Sequence, residues 1–162
     1  AAQIQKRYPR WEIVRYMVAS VPWPYPENGA ENYVNNVALP DMAKGIAWFW
    51  TIRRREAPDE LMGLICLYDV EDNNRGFWLA PEFQGQGYMR EASIATTDYW
   101  FNTLNKPVLR APKAAANSRS RRISDSSGMR LIRTEKKAYV SGILDSELWE
   151  ITRDEWNAHQ VS

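Results

Sequence analysis

The sequence predicts a mixed α/β fold, a central sheet with helices on both faces. Three features carry that prediction. Segments with strand patterning, alternating or apolar throughout, are interspersed with segments of helical spacing. The 162 residues contain no internal repeat, linker or low-complexity stretch, a length suited to one domain with a proper core, so residues 1–162 are read as a single unit. Hydrophobic residues make up 44% and charged residues 25%, the balance of a chain that can bury an apolar centre.

The elements follow in order. Pro9–Ser20 reads as a helix, with Trp11, Val14 and Val18 on one face and Pro9 near its start. Pro22-Trp23-Pro24-Tyr25-Pro26 suits neither a regular helix nor a central strand and makes a stiff aromatic loop. Glu27–Val37 reads as a second helix, closed before Pro40. Ile46–Ile52 alternates Ile46, Trp48, Trp50 and Ile52 against Ala47, Phe49 and Thr51, which is a strand. Leu61–Tyr68 is apolar on both faces and reads as a central strand. Gly76–Ala80 is a third strand. Gly87–Asn102 is a long helix, with Tyr88, Ala92, Ala95 and Tyr99 on one face. Val108–Ala111 is a short strand after Pro107. Asn117–Ser127 is a helix with Asn117 as N-cap and Gly128 as its stop. Met129–Thr134, Lys137–Val140 and Glu147–Arg153 read as closing strands, with a turn at Ser141-Gly142.

Charge and special residues narrow the chemistry. A net charge of +1 gives no global attraction to nucleic acid or membrane, and neither is expected as a partner. The clusters Arg53-Arg54-Arg55 and Arg119, Arg121, Arg122 read first as solvated faces. The single cysteine, Cys66, lies in Leu64-Ile65-Cys66-Leu67 and reads as a small core residue; no disulfide framework or cysteine-rich metal site is open to the chain, and no metal is expected. No apolar run reaches membrane-spanning length and no secretory segment opens the chain, so the cytoplasm is the expected compartment. The only histidine, His159, stands in a polar tail. Acid–base work therefore falls to Glu, Asp, Tyr, Ser or water.

The most informative stretch runs from Asn74 to Ala92. An apolar strand (Phe77, Trp78, Leu79) stops at Pro81, a turn carries Gly85 and Gly87, and a helix follows. Two glycines let the backbone turn with its N–H groups exposed, and a helix N-terminus behind them adds partial positive charge. Together they form a cradle for phosphate or pyrophosphate. No Gly-Lys-Ser/Thr follows, so this is not a Walker loop. Arg90 stands where a dinucleotide fingerprint needs its third glycine.

Gln84-Gly85-Gln86-Gly87-Tyr88-Met89 resembles the acyl-CoA-binding turn of the GNAT N-acetyltransferase superfamily, which has Gln or Arg first, Gly fourth, and Gly or Ala sixth. Met89 is larger than the usual sixth residue. The flanking words Gly-Phe-Trp-Leu-Ala-Pro-Glu and Arg-Glu-Ala resemble the branch containing the ribosomal-protein N-terminal acetyltransferases. Asn117-x-x-Ser120-x-x-Ile123 followed by Gly128-Met129 is similar to a second motif of that branch. The likeness extends more loosely from about Trp11 to Trp156. Such domains usually open with a strand before the first helix. Only residues 1–8 precede Pro9 here, so that strand is expected to be short or missing.

The resemblance implies a GNAT-type, mostly antiparallel central sheet, acetyl-CoA as cosubstrate, and direct transfer of acetyl to a primary amine in a ternary complex. The acceptor would be a protein N-terminus or a small-molecule amine, and a homodimer is open to the chain. It also implies that Phe77, Trp78 and Leu79 offer backbone groups to pantetheine and to the thioester carbonyl. Gln84, Gly85, Gln86, Gly87, Tyr88 and Met89 would hold the pyrophosphate. Asn117 reads equally as N-cap or as CoA ligand, and Arg122 as solvated charge or as partner of the ribose phosphate. Ser120 is the first candidate acid for the leaving thiolate; Tyr139 and Glu150 are the other catalytic candidates, although Glu150 could equally pair with an arginine. Relatives often carry a Glu before the Gly-Phe-Trp strand, where this chain has Asn74 and Arg75. Trp23, Tyr25, Trp48 and Trp50 are expected to line the acceptor side. The rival reading is a non-catalytic acyl-CoA-binding or sensor module of the same fold.

Overall fold

Residues 1–161 are described by the computed structural model, Val161 through its backbone alone, and their six strands form two three-stranded antiparallel sheets. The first contains β1 (Ala47–Ile52), β2 (Gly63–Tyr68) and β3 (Arg75–Leu79) in that order. The second contains β4 (Val108–Ala114), β5 (Arg130–Tyr139) and β6 (Gly142–Thr152), with β6 in the middle. Helices flank both, which is the predicted mixed α/β architecture.

The sheets are joined where β3 begins. The Asn74 N–H donates to the Arg110 carbonyl (2.7 Å), and the Arg110 N–H donates to Asn74 Oδ1 (2.8 Å). Past this junction the two strands part, and the backbone chemistry says why. The β4–β6 register spends the N–H and C=O groups of odd-numbered β4 residues on β6 and leaves the even-numbered ones facing β3. The next even residue after Arg110 is Pro112, which has no N–H to donate. In β3 the even-numbered residues pair with β2, as the flanking bonds Tyr68 N–H to Asn74 carbonyl and Ala80 N–H to Met62 carbonyl fix. Phe77 and Leu79 therefore point their backbone groups into the gap.

One face of the first sheet is covered by α1 (Ala2–Arg7), α2 (Trp11–Val14) and a long helical run of α3 (Gly29–Tyr33), a π turn (Val34–Ala38) and α4 (Leu39–Ala43). Ile13, Leu61 and Trp78 form the buried centre there, with Ile4 and Tyr8 against them. The other face packs on α5 (Tyr88–Asp98), which continues as a π turn over Tyr99–Thr103. Met62, Ile65, Leu79 and Met89 meet under α5. Leu67, Trp100, Phe101, Leu109, Trp149, Ile151 and Trp156 form a third cluster that spans both sheets. α6 (Ser118–Ser126) and α7 (Arg153–Val161) complete the chain.

Several boundaries differ from the sequence reading. Residues 2–7, ahead of Pro9, form α1 where such domains usually carry an opening strand, one the sequence reading expects to be short or missing. The helix expected over Pro9–Ser20 is only Trp11–Val14, because the chain then leaves to pair with the tip of β5: Val140 N–H donates to the Met17 carbonyl (2.9 Å) and Val18 bridges Tyr139. The second helix does not close before Pro40. The π turn ahead of Pro40 widens the helix where the ring would clash with a preceding carbonyl. Met129–Thr134 and Lys137–Val140 merge into β5, an edge strand where Glu135 and Lys136 stay in water and interrupt nothing. β4 runs on to Ala114, since the missing N–H of Pro112 faces the gap. β6 starts at Gly142, and Arg153 belongs to α7.

Candidate active site

The turn after β3 is built as the glycines predict. Gly85 (φ +76°) and Gly87 (φ +89°) both sit in the left-handed region, and a Cβ at either would meet nothing within 4 Å. Glycine is required there by backbone conformation, and the space above the turn is open. Gly87 is the N-cap of α5, and no side chain caps its first turn, so those N–H groups are left for an anion. Gln84 braces the turn: its Nε2 donates to the Leu79 carbonyl (2.7 Å), and its Oε1 accepts from Arg119 Nη1. That contact ties the end of β3 to the start of α6. Gln86 Nε2 donates to the Glu82 carbonyl (3.0 Å).

The gap between β3 and β4 opens into a cleft of about 730 Å³. Its floor is formed by Gly76, Phe77 and Trp78 on one strand and by Pro112, Lys113 and Ala114 on the other. Asn117 and Ser120 enter from the start of α6, where Asn117 Oδ1 accepts from the Ser120 N–H (3.3 Å). Asn117 is thus an N-cap that also faces the cleft. Ser120 is buried, at 8% exposure. Tyr139 enters from the end of β5, its hydroxyl 2.7 Å from Ser146 Oγ. Ser146 Oγ also lies 3.4 Å from the Lys113 carbonyl, so the Tyr139 hydroxyl is held at the end of a short chain of hydrogen bonds.

Burial sets the charge states. It raises the pKa of Tyr8, Tyr25, Tyr33, Tyr68 and Tyr139 above the ordinary phenol value and pushes the Cys66 thiol up to about 11. These groups are proton donors at neutral pH. Burial, with Arg75 nearby, holds the Lys113 amine well below its usual range, and burial alone brings Arg75 down to about 10. The Lys113 Nζ donates to the Ala111 carbonyl (3.3 Å) and lies 5.7 Å from the centre of the Trp149 ring, on the core side of the sheet.

Of the residues expected from sequence, the structure brings Phe77, Trp78, Asn117, Ser120, Tyr139 and Tyr25 together around this cleft. Leu79, Gln84, Gly85, Gln86 and Gly87 lie at its end, in strand and turn. Tyr88 and Met89 pack into the core beneath α5, and Arg122 projects exposed from α6. Other expectations are corrected. Glu150 is held between Arg110 (2.7 Å) and Arg130 (3.0 Å), outside the cleft. Trp48 packs edge-to-face on Trp100 and Trp50 on Tyr99, both on the α5 side of β1. Trp23 is 42% exposed against Trp11 and does not line the cleft.

The far wall of the cleft is formed by residues the sequence reading passed over: Phe49, on the other face of β1, with Tyr8, Tyr16, Tyr33 and Tyr68. The alternation of residues 46–52 already set Phe49 apart from Trp48 and Trp50, and it is the Phe49 face of the strand that meets this cleft. Among the described residues, no group of three or more His, Cys, Asp or Glu side chains is placed to hold a metal ion.

Comparison with known proteins follows the same lines. The family profile described as "Acetyltransferase (GNAT) domain" matches residues 1–130. No curated protein matches the chain. Among solved structures, the ribosomal-protein-S5-alanine acetyltransferase from Vibrio fischeri superposes with a TM-score of 0.78 at 18% identity, over 95% of this chain and 88% of that one. RimL, a ribosomal L7/L12 α-N-protein acetyltransferase solved with coenzyme A, gives 0.76 at 18% identity, over 94% and 86%. A variant of the spermidine N-acetyltransferase SpeG from Vibrio cholerae gives 0.68 at 18% identity, over 86% and 84%. At such identities the likeness is one of fold.

Proposed function

Since the chain belongs to the acetyltransferase (GNAT) domain family, we propose that it transfers the acetyl group of acetyl-CoA directly to a primary amine in a ternary complex. One observation carries this reading: the unpaired edge of β3 runs from the parting of the sheets to an uncapped glycine turn. An extended amide chain ending in a pyrophosphate matches that layout. The backbone groups of Phe77 and the Leu79 N–H pair with the pantetheine arm, and the N–H groups of Gln84 to Met89 with the pyrophosphate.

Transfer needs a neutral amine, a donor for the tetrahedral oxyanion, and an acid for the departing thiolate. The strand edge supplies the oxyanion donor. Ser120 supplies the thiolate proton, since it lines the cleft from the start of α6 while the Tyr139 hydroxyl is engaged with Ser146 (2.7 Å). The amine enters from the tyrosine-lined side, opposite the turn. With Cys66 on the floor protonated and no other thiol in the chain, a covalent acyl-enzyme has no nucleophile, which favours direct transfer. The protein N-termini acetylated by the ribosomal-protein enzymes and the small amine acetylated by SpeG bracket the acceptor range.

A CoA-binding module without turnover is the other reading, favoured by the absence of any carboxylate or histidine among the cleft-lining residues. Thiol release from acetyl-CoA with an amine panel separates the two. Initial rates with both substrates varied should give intersecting double-reciprocal lines. Parallel lines would refute the ternary complex, and CoA binding without thiol release would establish the module.

A further inference from the structure

The acceptor half of the cleft has an unusual composition for an amine site. Tyr8 meets Tyr25 edge-on (ring centres 5.2 Å apart) and Trp78 at 5.3 Å; Phe49 meets Tyr33 at 6.2 Å and Tyr68 at 5.7 Å, both edge-on. These rings are already arrayed to receive another ring in the same edge-to-face manner. No Asp or Glu lines the cleft, and of its basic residues Arg75 and Lys113 turn their charged ends into the core, which leaves Lys137. Of the carboxylates near its tyrosines, Glu135 is exposed and taken by Lys137 (3.3 Å) and Arg133 (3.4 Å), and Asp41, near Tyr33, lies 4.0 Å from Lys44.

Two consequences follow. A second ammonium on the acceptor would lose its water and gain no carboxylate, a costly exchange. The reacting amine also finds no carboxylate or imidazole to take its proton, so it must arrive largely neutral. At pH 7 an alkyl amine with the basicity of lysine, pKa about 10.4, is only about one part in 10³ neutral, whereas an α-amine of pKa about 7.7–8.0 is roughly a tenth neutral. Its lower nucleophilicity gives back part of that advantage of about 10²-fold.

We infer that the acceptor is a weakly basic aromatic monoamine, such as an α-amine flanked by a carbonyl and carrying a phenyl or phenol ring, rather than a polyamine or a lysine side chain. This rests on the transferase reading and narrows its acceptor. The ring packs against the wall made by Phe49, Tyr33 and Tyr68, and the phenol hydroxyls, which stay protonated, donate to the acceptor's carbonyl.

Four probes at pH 7 and saturating acetyl-CoA separate the parts of the claim. Phenylalaninamide and phenethylamine share a ring and differ in basicity; alaninamide removes the ring; spermidine adds charge. Phenylalaninamide is expected to exceed each of the others in kcat/KM by about tenfold or more. Equal or faster turnover of phenethylamine overturns the basicity argument, of alaninamide the aromatic one, and of spermidine the charge argument. CoA-dependent thermal stabilisation is measured beside the rates. If CoA binds but no probe is acetylated, the acceptor class is wrong while CoA recognition stands. If CoA does not bind, the transferase reading falls first. Tyr33→Glu, at a ring 38% exposed and so tolerant of change, places a carboxylate on the wall. In the folded variant the preference should shift toward phenethylamine and spermidine by about tenfold. An unchanged preference would place the amine elsewhere.

Discussion

Asn74→Ala tests whether the parting of the sheets is held by one residue. Asn74 is 7% exposed, and its side chain makes three bonds: Oδ1 accepts from the Arg110 N–H (2.8 Å), and Nδ2 donates to the Val70 (2.8 Å) and Tyr68 (3.2 Å) carbonyls. At about 1 kcal/mol net for each bond, with extra cost where a partner stays dry and unsatisfied, the loss is about 3 kcal/mol. For a chain of this size each kcal/mol lowers Tm by about 2–4 °C, so the expected drop is roughly 6–12 °C. Urea unfolding measures the first figure and thermal melting the second. In the folded fraction the acetyl-CoA KM should also rise, because the Arg110 N–H no longer anchors β4 at the mouth of the gap. A loss below about 0.5 kcal/mol would refute the clamp, since that is less than a single ordinary hydrogen bond contributes.

Three further outcomes are expected. Gly87→Ala places a Cβ at φ +89°, where the strain is about 1–2 kcal/mol and the added methyl stands in the open space above the turn; CoA affinity measured by calorimetry should fall at least tenfold, and an unchanged affinity would remove the pyrophosphate from this turn. Ser120→Ala should lower kcat by about 10²-fold with CoA affinity intact, and a full-rate variant would pass the acid role to water. Lys113→Met should stabilise the protein. Burial holds the Lys113 pKa below its unfolded value of about 10.4, so folding expels a proton at a cost that grows as pH falls below that value and vanishes above it. The variant should therefore melt higher at pH 7, by about 1 kcal/mol or more of stability, and the advantage should fade toward pH 10. A gain that grew with pH would contradict the burial argument.

Much of the sheet was legible because its signals are local. The alternation of residues 47–52 and the apolar run 61–68 located β1 and β2, and the glycine pair located the turn into α5. Elements set by distant partners were not. Met17–Ala19 leave a helical pattern for the tip of β5, a contact across more than a hundred residues that no local periodicity records. Helix α7 did carry a local signal. The Thr152 N–H donates to Glu155 (2.8 Å) and the Glu155 N–H to the Thr152 hydroxyl (3.3 Å), a capping box spelled Thr-x-x-Glu in the sequence. The site divides in the same way. The side proposed for CoA lies in two contiguous motifs. The wall proposed for the acceptor is assembled from Tyr8, Tyr33, Phe49 and Tyr68, positions far apart in sequence that meet only in the fold. Asn74, in the neighbourhood where the resemblance would put a glutamate, is a sheet clamp here, which explains its identity without giving it a part in the chemistry.

The central claim is that the edge of β3 holds the pantetheine arm, and amide hydrogen exchange at that strand tests it most directly. Trp78 is spent on β2 and Phe77 faces the gap. In the free protein the Phe77 amide should exchange faster than its Trp78 neighbour. Saturating CoA should slow Phe77 by at least tenfold while leaving Trp78 nearly unchanged beyond any global stabilisation. An exchange rate at Phe77 indifferent to bound CoA would contradict the account.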